Sequence, residues 1–329
     1  MRLHAKIVLG LSCLLAGPAF GHPATLIPVT PFPGSTTTGV FAINDSNQIV
    51  GQYTNADGVE HGFHGPLNGS YTAFDYPDTP LGTELRGIND SGDMVGFAPD
   101  SSFFSGPEFF LSHDGALKTY TLNHTALLGI NQGINKRGLT VGDYISDPDT
   151  DTQVGYEGRK GKYRQDLSLG FSANRVDARA ITTNGTVAGW YIDSDALEHG
   201  FILNGGAVQT IDADDSGTTT LEGLNDKGIA TGAVLDESEN SHAFVLDTNT
   251  SAITWIDVPG ATNVQIWGIN KMGLAAISTD IGSFIYCPLK PASCPSGGTL
   301  VEMRESKLVP VTHPMRVHVS RAALKGAVR

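Results

Sequence analysis

The fold this sequence predicts is all-β, a six-bladed β-propeller of four-stranded antiparallel blades, and three observations predict it. A five-residue phrase recurs six times at nearly even spacing. Its last position is glycine in five of the six copies. The composition, with 40 glycines and 17 prolines among 329 residues, argues against an α/β chain. The copies are Ile43-Asn44-Asp45-Ser46-Asn47, Ile88-Asn89-Asp90-Ser91-Gly92, Ile134-Asn135-Lys136-Arg137-Gly138, Ile181-Thr182-Thr183-Asn184-Gly185, Leu224-Asn225-Asp226-Lys227-Gly228 and Ile269-Asn270-Lys271-Met272-Gly273. They stand 45, 46, 47, 43 and 45 residues apart, which is the period of a four-stranded blade rather than of a helical solenoid.

Each element follows from a column of the repeat. The fifth column, glycine except for Asn47, suits a left-handed residue closing a hairpin turn. The residue before each leading Ile or Leu is small (Ala42, Gly87, Gly133, Ala180, Gly223, Gly268), as expected of an innermost strand approached by a neighbouring backbone. After the turn comes an apolar second strand, such as Gln48-Ile49-Val50-Gly51-Gln52-Tyr53. The third strand opens with His61-Gly62-Phe63, His199-Gly200-Phe201 or His242-Ala243-Phe244, and a fourth follows, as in Tyr71-Thr72-Ala73-Phe74-Asp75.

Strand counting predicts how the ring closes. The last repeat shows three strands ending at Tyr286, and residues 25–29 read as the missing fourth, so that strand exchange at the termini completes six blades of four. Residues 299–303, preceded by Gly297-Gly298, are a rival closing strand.

The expected domains are a signal peptide over 1–21, the propeller over 22–302 and a basic tail over 303–329. Arg2 and Lys6, an apolar stretch from Ile7 to Leu15, and Ala19-Phe20-Gly21 fit a secretory signal cleaved before His22. That implies a periplasmic or extracellular location in a bacterium. Cys13 has Gly10 where a lipoprotein signal places Leu, so a plain signal is favoured. No later apolar run reaches the length of a membrane span, so no insertion is expected. After processing, Cys287 and Cys294 read as a local disulfide.

Residues 22–302 hold 33 acidic side chains against 13 Lys and Arg, about −20 in all. Such a body disfavours nucleic acid and anionic membranes as partners and is compatible with divalent cations. The tail carries Arg304, Lys307, Arg316, Arg321, Lys325 and Arg329 against Glu305 alone; folding back onto the acidic body and remaining a solvated extension both stay open. A monomer is expected.

The G-I-N-D-x-G phrase, linked in register to V-G-x-Y and then H-[GA]-F, resembles the bacterial extracellular HAF repeats over nearly the whole chain apart from the tail. The resemblance implies export and a β-propeller-like fold, and it brings no catalytic residues with it. The chain departs from the pattern at Pro107-Glu108-Phe109, Val154-Gly155-Tyr156 and Ile277.

His61, His199 and His242 share one repeat position, which favours a role within the blade. His64 and His124 break the pattern, and His124 is a catalytic candidate together with Glu222. The column before the small residue reads Phe41, Arg86, Gln132, Arg179, Glu222 and Trp267, large in every copy and different in each. A column required by the fold stays uniform, whereas a ring facing a ligand is free to vary, so these six are the ligand-binding candidates; the alternative is that they pair with one another at blade interfaces. Asp147, Asp149 and Asp151 alternate in one loop as calcium ligands could, without the glycine and glutamate an EF-hand requires.

No nucleophile elbow, zinc helix motif or phosphate loop occurs in the mature chain. Two functional readings follow. One is a secreted propeller binding a polar small molecule or glycan at its channel mouth. The other is a calcium-dependent lactone or ester hydrolase whose bound Ca²⁺ polarises a carbonyl in the channel.

Overall fold

The computed structural model describes residues 20–307 apart from 80, 100–105, 121–128, 148, 151 and 290. Strand β1 (Phe20–Pro28) comes first, and five four-stranded units follow in chain order. Blade one holds β2 (Thr37–Ile43), β3 (Gln48–Thr54), β4 (Glu60–Pro66) and β5 (Thr72–Phe74). Blade two holds β6 (Glu84–Ile88), β7 (Met94–Phe97), β8 (Glu108–Leu111) and β9 (Leu117–Thr119). Blade three holds β10 (Gly129–Ile134), β11 (Leu139–Asp147), β12 (Thr152–Arg159) and β13 (Lys162–Asp166). Blade four holds β14 (Arg175–Ile181), β15 (Val187–Ile192), β16 (Glu198–Asn204) and β17 (Ala207–Ile211), and blade five β18 (Thr220–Leu224), β19 (Ile229–Leu235), β20 (Ser241–Asp247) and β21 (Ala252–Ile256). The last unit has β22 (Val264–Ile269), β23 (Ala275–Thr279) and β24 (Gly282–Cys287), and β25 (Thr299–Lys307) ends the described chain.

Both candidate closing strands pair, in different places. β1 lies antiparallel to β24, with Leu26 opposite Tyr286, and so completes the sixth blade. β25 does not replace it. It lies outside β1, with Thr25 opposite Leu300, and its far end pairs with β21 of blade five, with Thr254 opposite Glu305. One strand therefore clasps the outer edges of two blades, covering both from further pairing. The strand runs on through Lys307, into the segment read as tail. The Cys287–Cys294 disulfide spans the start of the connection to β25.

What holds the inner strands in a ring is the asparagine of the repeated phrase. Each Asn Nδ2 donates to the backbone carbonyl at the equivalent position of the next blade: Asn44 to Asn89 (3.0 Å), Asn89 to Asn135 (3.1 Å), Asn135 to Thr182 (2.8 Å), Asn225 to Asn270 (2.9 Å) and Asn270 back to Asn44 (3.1 Å). The Oδ1 of each accepts two backbone N–H groups of its own turn, as Asn135 does from Arg137 and Leu139. One side chain thus fixes a turn and ties two blades. The sixth link is missing because Thr182 cannot reach across; there Thr183 donates to Asp226 instead, through N (2.7 Å) and Oγ1 (2.6 Å). The turn column behaves as its residues demand, with positive φ at Asn47 (56°), Gly92, Gly138, Gly185, Gly228 and Gly273.

The core lies between blades. The aromatic of the H-[GA]-F phrase is buried whether or not the histidine is kept: Phe63, Phe109, Tyr156, Phe201 and Phe244 are all 0 % exposed. Burying each contributes about 1.5–3 kcal/mol. The histidines tie loops: His61 Nδ1 sits 2.7 Å from Asp75 and Nε2 3.0 Å from Asn55, and His199 likewise bridges Asp212 (2.7 Å) and Asp193 (3.3 Å). Hydrogen bonding to Asp212 raises the His199 pKa above its usual value.

Candidate functional site at the end of the channel

The channel wall is shaped by a defect repeated in every blade. Between the first and second strands the register slips by a bulge, at Val40/Ala42, Leu85/Gly87, Asn131/Gly133, Ala178/Ala180, Leu221/Gly223 and Ile266/Ile269. The residues skipped are Phe41, Arg86, Gln132, Arg179, Glu222 and Trp267, the variable column. A bulge leaves its extra residue out of the ladder and re-aims the side chain, and all six line one cavity of about 90 Å³ on the axis. The glycine of V-G-x-Y permits the bulge: a Cβ on Gly51, Gly96 or Gly189 would lie 1.9, 1.9 or 2.0 Å from a carbonyl oxygen of the first strand. In the last blade Ile277 takes that place, and the slip there passes over two residues, Trp267 and Gly268, instead of one.

The ring side chains interact with one another and with neighbours the sequence reading did not name. Arg86 stacks 4.2 Å above the Phe41 ring, which meets Trp267 edge-on at 5.3 Å, and its Nη2 lies 2.7 Å from Glu84. Arg179 reaches Asp177 (2.8 Å) and Glu222 (3.4 Å) and lies 5.9 Å from the centre of the Trp190 ring. Gln132 donates to Asp143 at 3.3 Å, Gln153 also donates to it, and Asp143 and Asp177 face each other as buried carboxyl groups sharing a hydrogen bond. Burial pushes the Asp177 carboxyl up to about 8 against the opposing pull of Arg179. Burial likewise raises Asp143 and Glu222, with Arg179 again opposing. Such a pair of carboxyls retains a proton at neutral pH.

Beside the ring, towards the face carrying the connections between second and third strands, a second cavity of about 250 Å³ opens across blades four to six. Arg179, Glu222, Trp190 and Trp267 line it with Glu198, and the indole Nε1 atoms of both tryptophans are buried with no hydrogen-bond partner among the described residues. Trp190, Asp143 and Phe97 occupy the column after the V-G glycine, which reads Gln52, Phe97, Asp143, Trp190, Ala233 and Ser278. That column varies as much as the ring does, and the same test would have found it.

The other candidates lie elsewhere. His124 and Asp151 fall outside the described residues. Asp147 ends β11 and Asp149 lies in the turn after it, where Asp147 Oδ1 accepts the Asp149 N–H at 3.0 Å. Among the described residues no three His, Cys, Asp or Glu side chains are grouped to hold a metal. His64, on β4, has its pKa lowered by burial. No helix among the described residues is long and apolar enough to cross a membrane.

Fold and site together define a propeller with a polar cavity at one end of its channel. No family model and no curated protein sequence matches the chain. Solved structures do. A fungal lectin of Aleuria aurantia, described as a six-bladed β-propeller with its own mode of fucose recognition, aligns at a TM-score of 0.50 and 11 % identity over 86 % of this chain and 99 % of the lectin. A catalytically inactive variant of virginiamycin B lyase from Staphylococcus aureus, solved with quinupristin, aligns at 0.45 and 11 % over 81 % and 98 %. At such identities the likeness to the lectin shows the propeller fold.

Proposed function

We propose that this protein is an exported propeller that binds a neutral saccharide, or a polar small molecule of similar chemistry, at this end of its channel. One observation carries the reading. Of the twelve buried side-chain polar atoms that make no hydrogen bond among the described residues, seven lie at this site; Glu84 Oε2 still faces Arg86 at 2.7 Å, Glu222 Oε2 and Arg179 Nε face each other at 3.4 Å and Asp177 faces Asp143, which leaves Arg86 Nε and the indole Nε1 atoms of Trp190 and Trp267 without a partner. These three N–H donors converge on one end of the channel, and each costs about 1–3 kcal/mol until a partner arrives. Saccharide hydroxyls both donate and accept, which suits a wall of indole N–H donors and carboxyl acceptors. The arginines already face carboxylates, so the site carries little free cationic charge for an anion, and the acidic body repels one. The Aleuria lectin illustrates that this fold can serve a sugar receptor; the assignment here rests on the site. Export is inferred from the N-terminal segment, the resemblance to HAF repeats and the disulfide.

The test uses the three tryptophans of the chain, two of which line the cavity. Titration with a panel of methyl glycosides should change the intrinsic fluorescence saturably. Trp267→Phe, which keeps a ring and removes an unpaired donor, should weaken binding at least fivefold while the melting temperature holds or rises. A saturable change that survives unaltered in both Trp267→Phe and Trp190→Phe would refute the site.

A further inference from the structure

The unpaired polar atoms in the enclosed part of the site are all of one kind. Arg86 Nε and the indole Nε1 atoms of Trp190 and Trp267 are donors, whereas the carboxyl groups around them are engaged: Glu84 faces Arg86, Glu222 faces Arg179 and accepts from Thr220, and Asp177 shares a hydrogen bond with Asp143. Arg179, Glu222 and Trp267 line both the axial cavity, which holds Arg86, and the larger cavity, which holds Trp190, so the two adjoin. The outer lining of the larger cavity differs. There Thr218 and Ser241 have spent their hydroxyls on backbone groups, the first on Leu235 and the second on the Val264 carbonyl at 3.1 Å. Glu198 and Gln265 have not: neither side chain makes a hydrogen bond among the described residues, and between them a carboxyl group and an amide can both accept and donate.

A recess whose spare groups are all donors suits a ligand group that only accepts. A hydroxyl carried into it brings an O–H of its own, buried without an acceptor, whereas a carbonyl oxygen has two lone pairs and no proton. A carboxylate accepts too, but it would meet Glu84 and Glu222 at close quarters. Resting on the proposed saccharide site, we infer that the preferred ligand is an N-acetylated sugar, its acetamido carbonyl accepting from the recess of Trp190, Trp267 and Arg86 and its ring hydroxyls turned towards Glu198 and Gln265. The acetamido N–H finds its acceptor in Glu222, whose carboxyl group has lone pairs beyond those facing Arg179. The axial cavity, about 90 Å³ against about 250 Å³ for its neighbour, has room for a substituent of the sugar, and the larger one for its ring. A site built to bond one group discriminates against the analogue lacking it, because its own buried polar atoms are then left unpaired.

Calorimetry tests this by comparing methyl β-glucoside with methyl β-N-acetylglucosaminide, and the galactose and mannose pairs likewise. Methyl β-glucuronide supplies an anionic acceptor, and N-methylacetamide supplies the amide without a sugar. In at least one pair the acetamido sugar should bind at least tenfold more tightly than its parent. Trp190→Phe and Trp267→Phe each take away one donor, and in at least one of them that advantage should fall below threefold; melting curves establish that both variants fold. Equal affinities within every pair, a glucuronide as tight as the acetamido sugar, or an advantage that survives in both variants although the parent sugar weakens, would overturn the inference and leave the saccharide site standing. N-methylacetamide as tight as the acetamido sugar, binding unaltered in both variants, or no binding by any glycoside, would overturn the saccharide reading and this inference with it.

Discussion

Asn135→Ala removes one side chain and three hydrogen bonds: Nδ2 to the Thr182 carbonyl at 2.8 Å, and Oδ1 from the N–H groups of Arg137 (2.9 Å) and Leu139 (3.0 Å). Asn135 is 5 % exposed, so the groups it leaves behind have poor access to water. At about 1 kcal/mol for each bond, with an added cost where a buried partner is orphaned, the loss should be about 3–4 kcal/mol. The repeat contains its own control at Thr182, whose hydroxyl accepts the Thr186 N–H at 3.0 Å and so preserves part of the turn without the cross-blade tie. Asn135→Thr should then cost less, about 1–2 kcal/mol, and Thr182→Asn should restore a link to Asn225 and stabilise by about 1 kcal/mol. The interface that lacks the link also borders a cavity of about 440 Å³ lined by Thr182, Leu224 and Asn225, so the longer side chain has space to enter. For a protein of this size 1 kcal/mol corresponds to roughly 2–4 °C. Calorimetric melting of the three variants measures these shifts. A destabilising Thr182→Asn together with a neutral Asn135→Thr would show that the turn, and not the tie between blades, is what the asparagine supplies.

Four further outcomes follow from the same geometry. Glu108, 3 % exposed against the Tyr156 hydroxyl, has its pKa pushed from 4.5 up to about 8 by burial; its contribution is intact below pH 4.5 and is lost as pH rises through 8, so Glu108→Gln should flatten that decline and stabilise at pH 9 by at most about 5 kcal/mol in denaturant titrations. Arg179→Ala should lower stability by about 3 kcal/mol, because Asp177 and Glu222 lose their counter-charge in a largely buried setting; a melting temperature unchanged at pH 7 would contradict the pairing. Removing residues 22–28 should expose the edges of β24 and β25 and cause aggregation, whereas ending the chain at Gly298 should leave blade six closed and cost less; light scattering on the two truncations decides between them. Reduction of the Cys287–Cys294 disulfide, which closes a short loop, should destabilise by about 2–3 kcal/mol in thermal melts with and without reductant.

Much of this architecture is legible one residue at a time, because it rests on local chemistry repeated six times. The turn needs Gly or Asn at its last position, the innermost strands need a small residue where a neighbour passes, and the buried aromatic of the third strand survives even where Glu108 or Gly155 follows a non-histidine. The strand that completes blade six was readable by counting. The asparagine tie was equally present in the phrase, but its partner lies one repeat away, and hydrogen bonding across that distance is invisible to a reading made one turn at a time. The variable column showed that six positions differ. That they share one axis follows from a bulge, which is a property of two strands in register and not of either alone. β25 could not be placed from its own residues, since the edges it joins, β1 and β21, are separated by more than two hundred residues. The Trp190–Arg179–Glu222 wall was decided later still, by the packing of three blades against one another. Local sequence sets the shape of each blade here, and only the closed ring sets which side chains meet inside it.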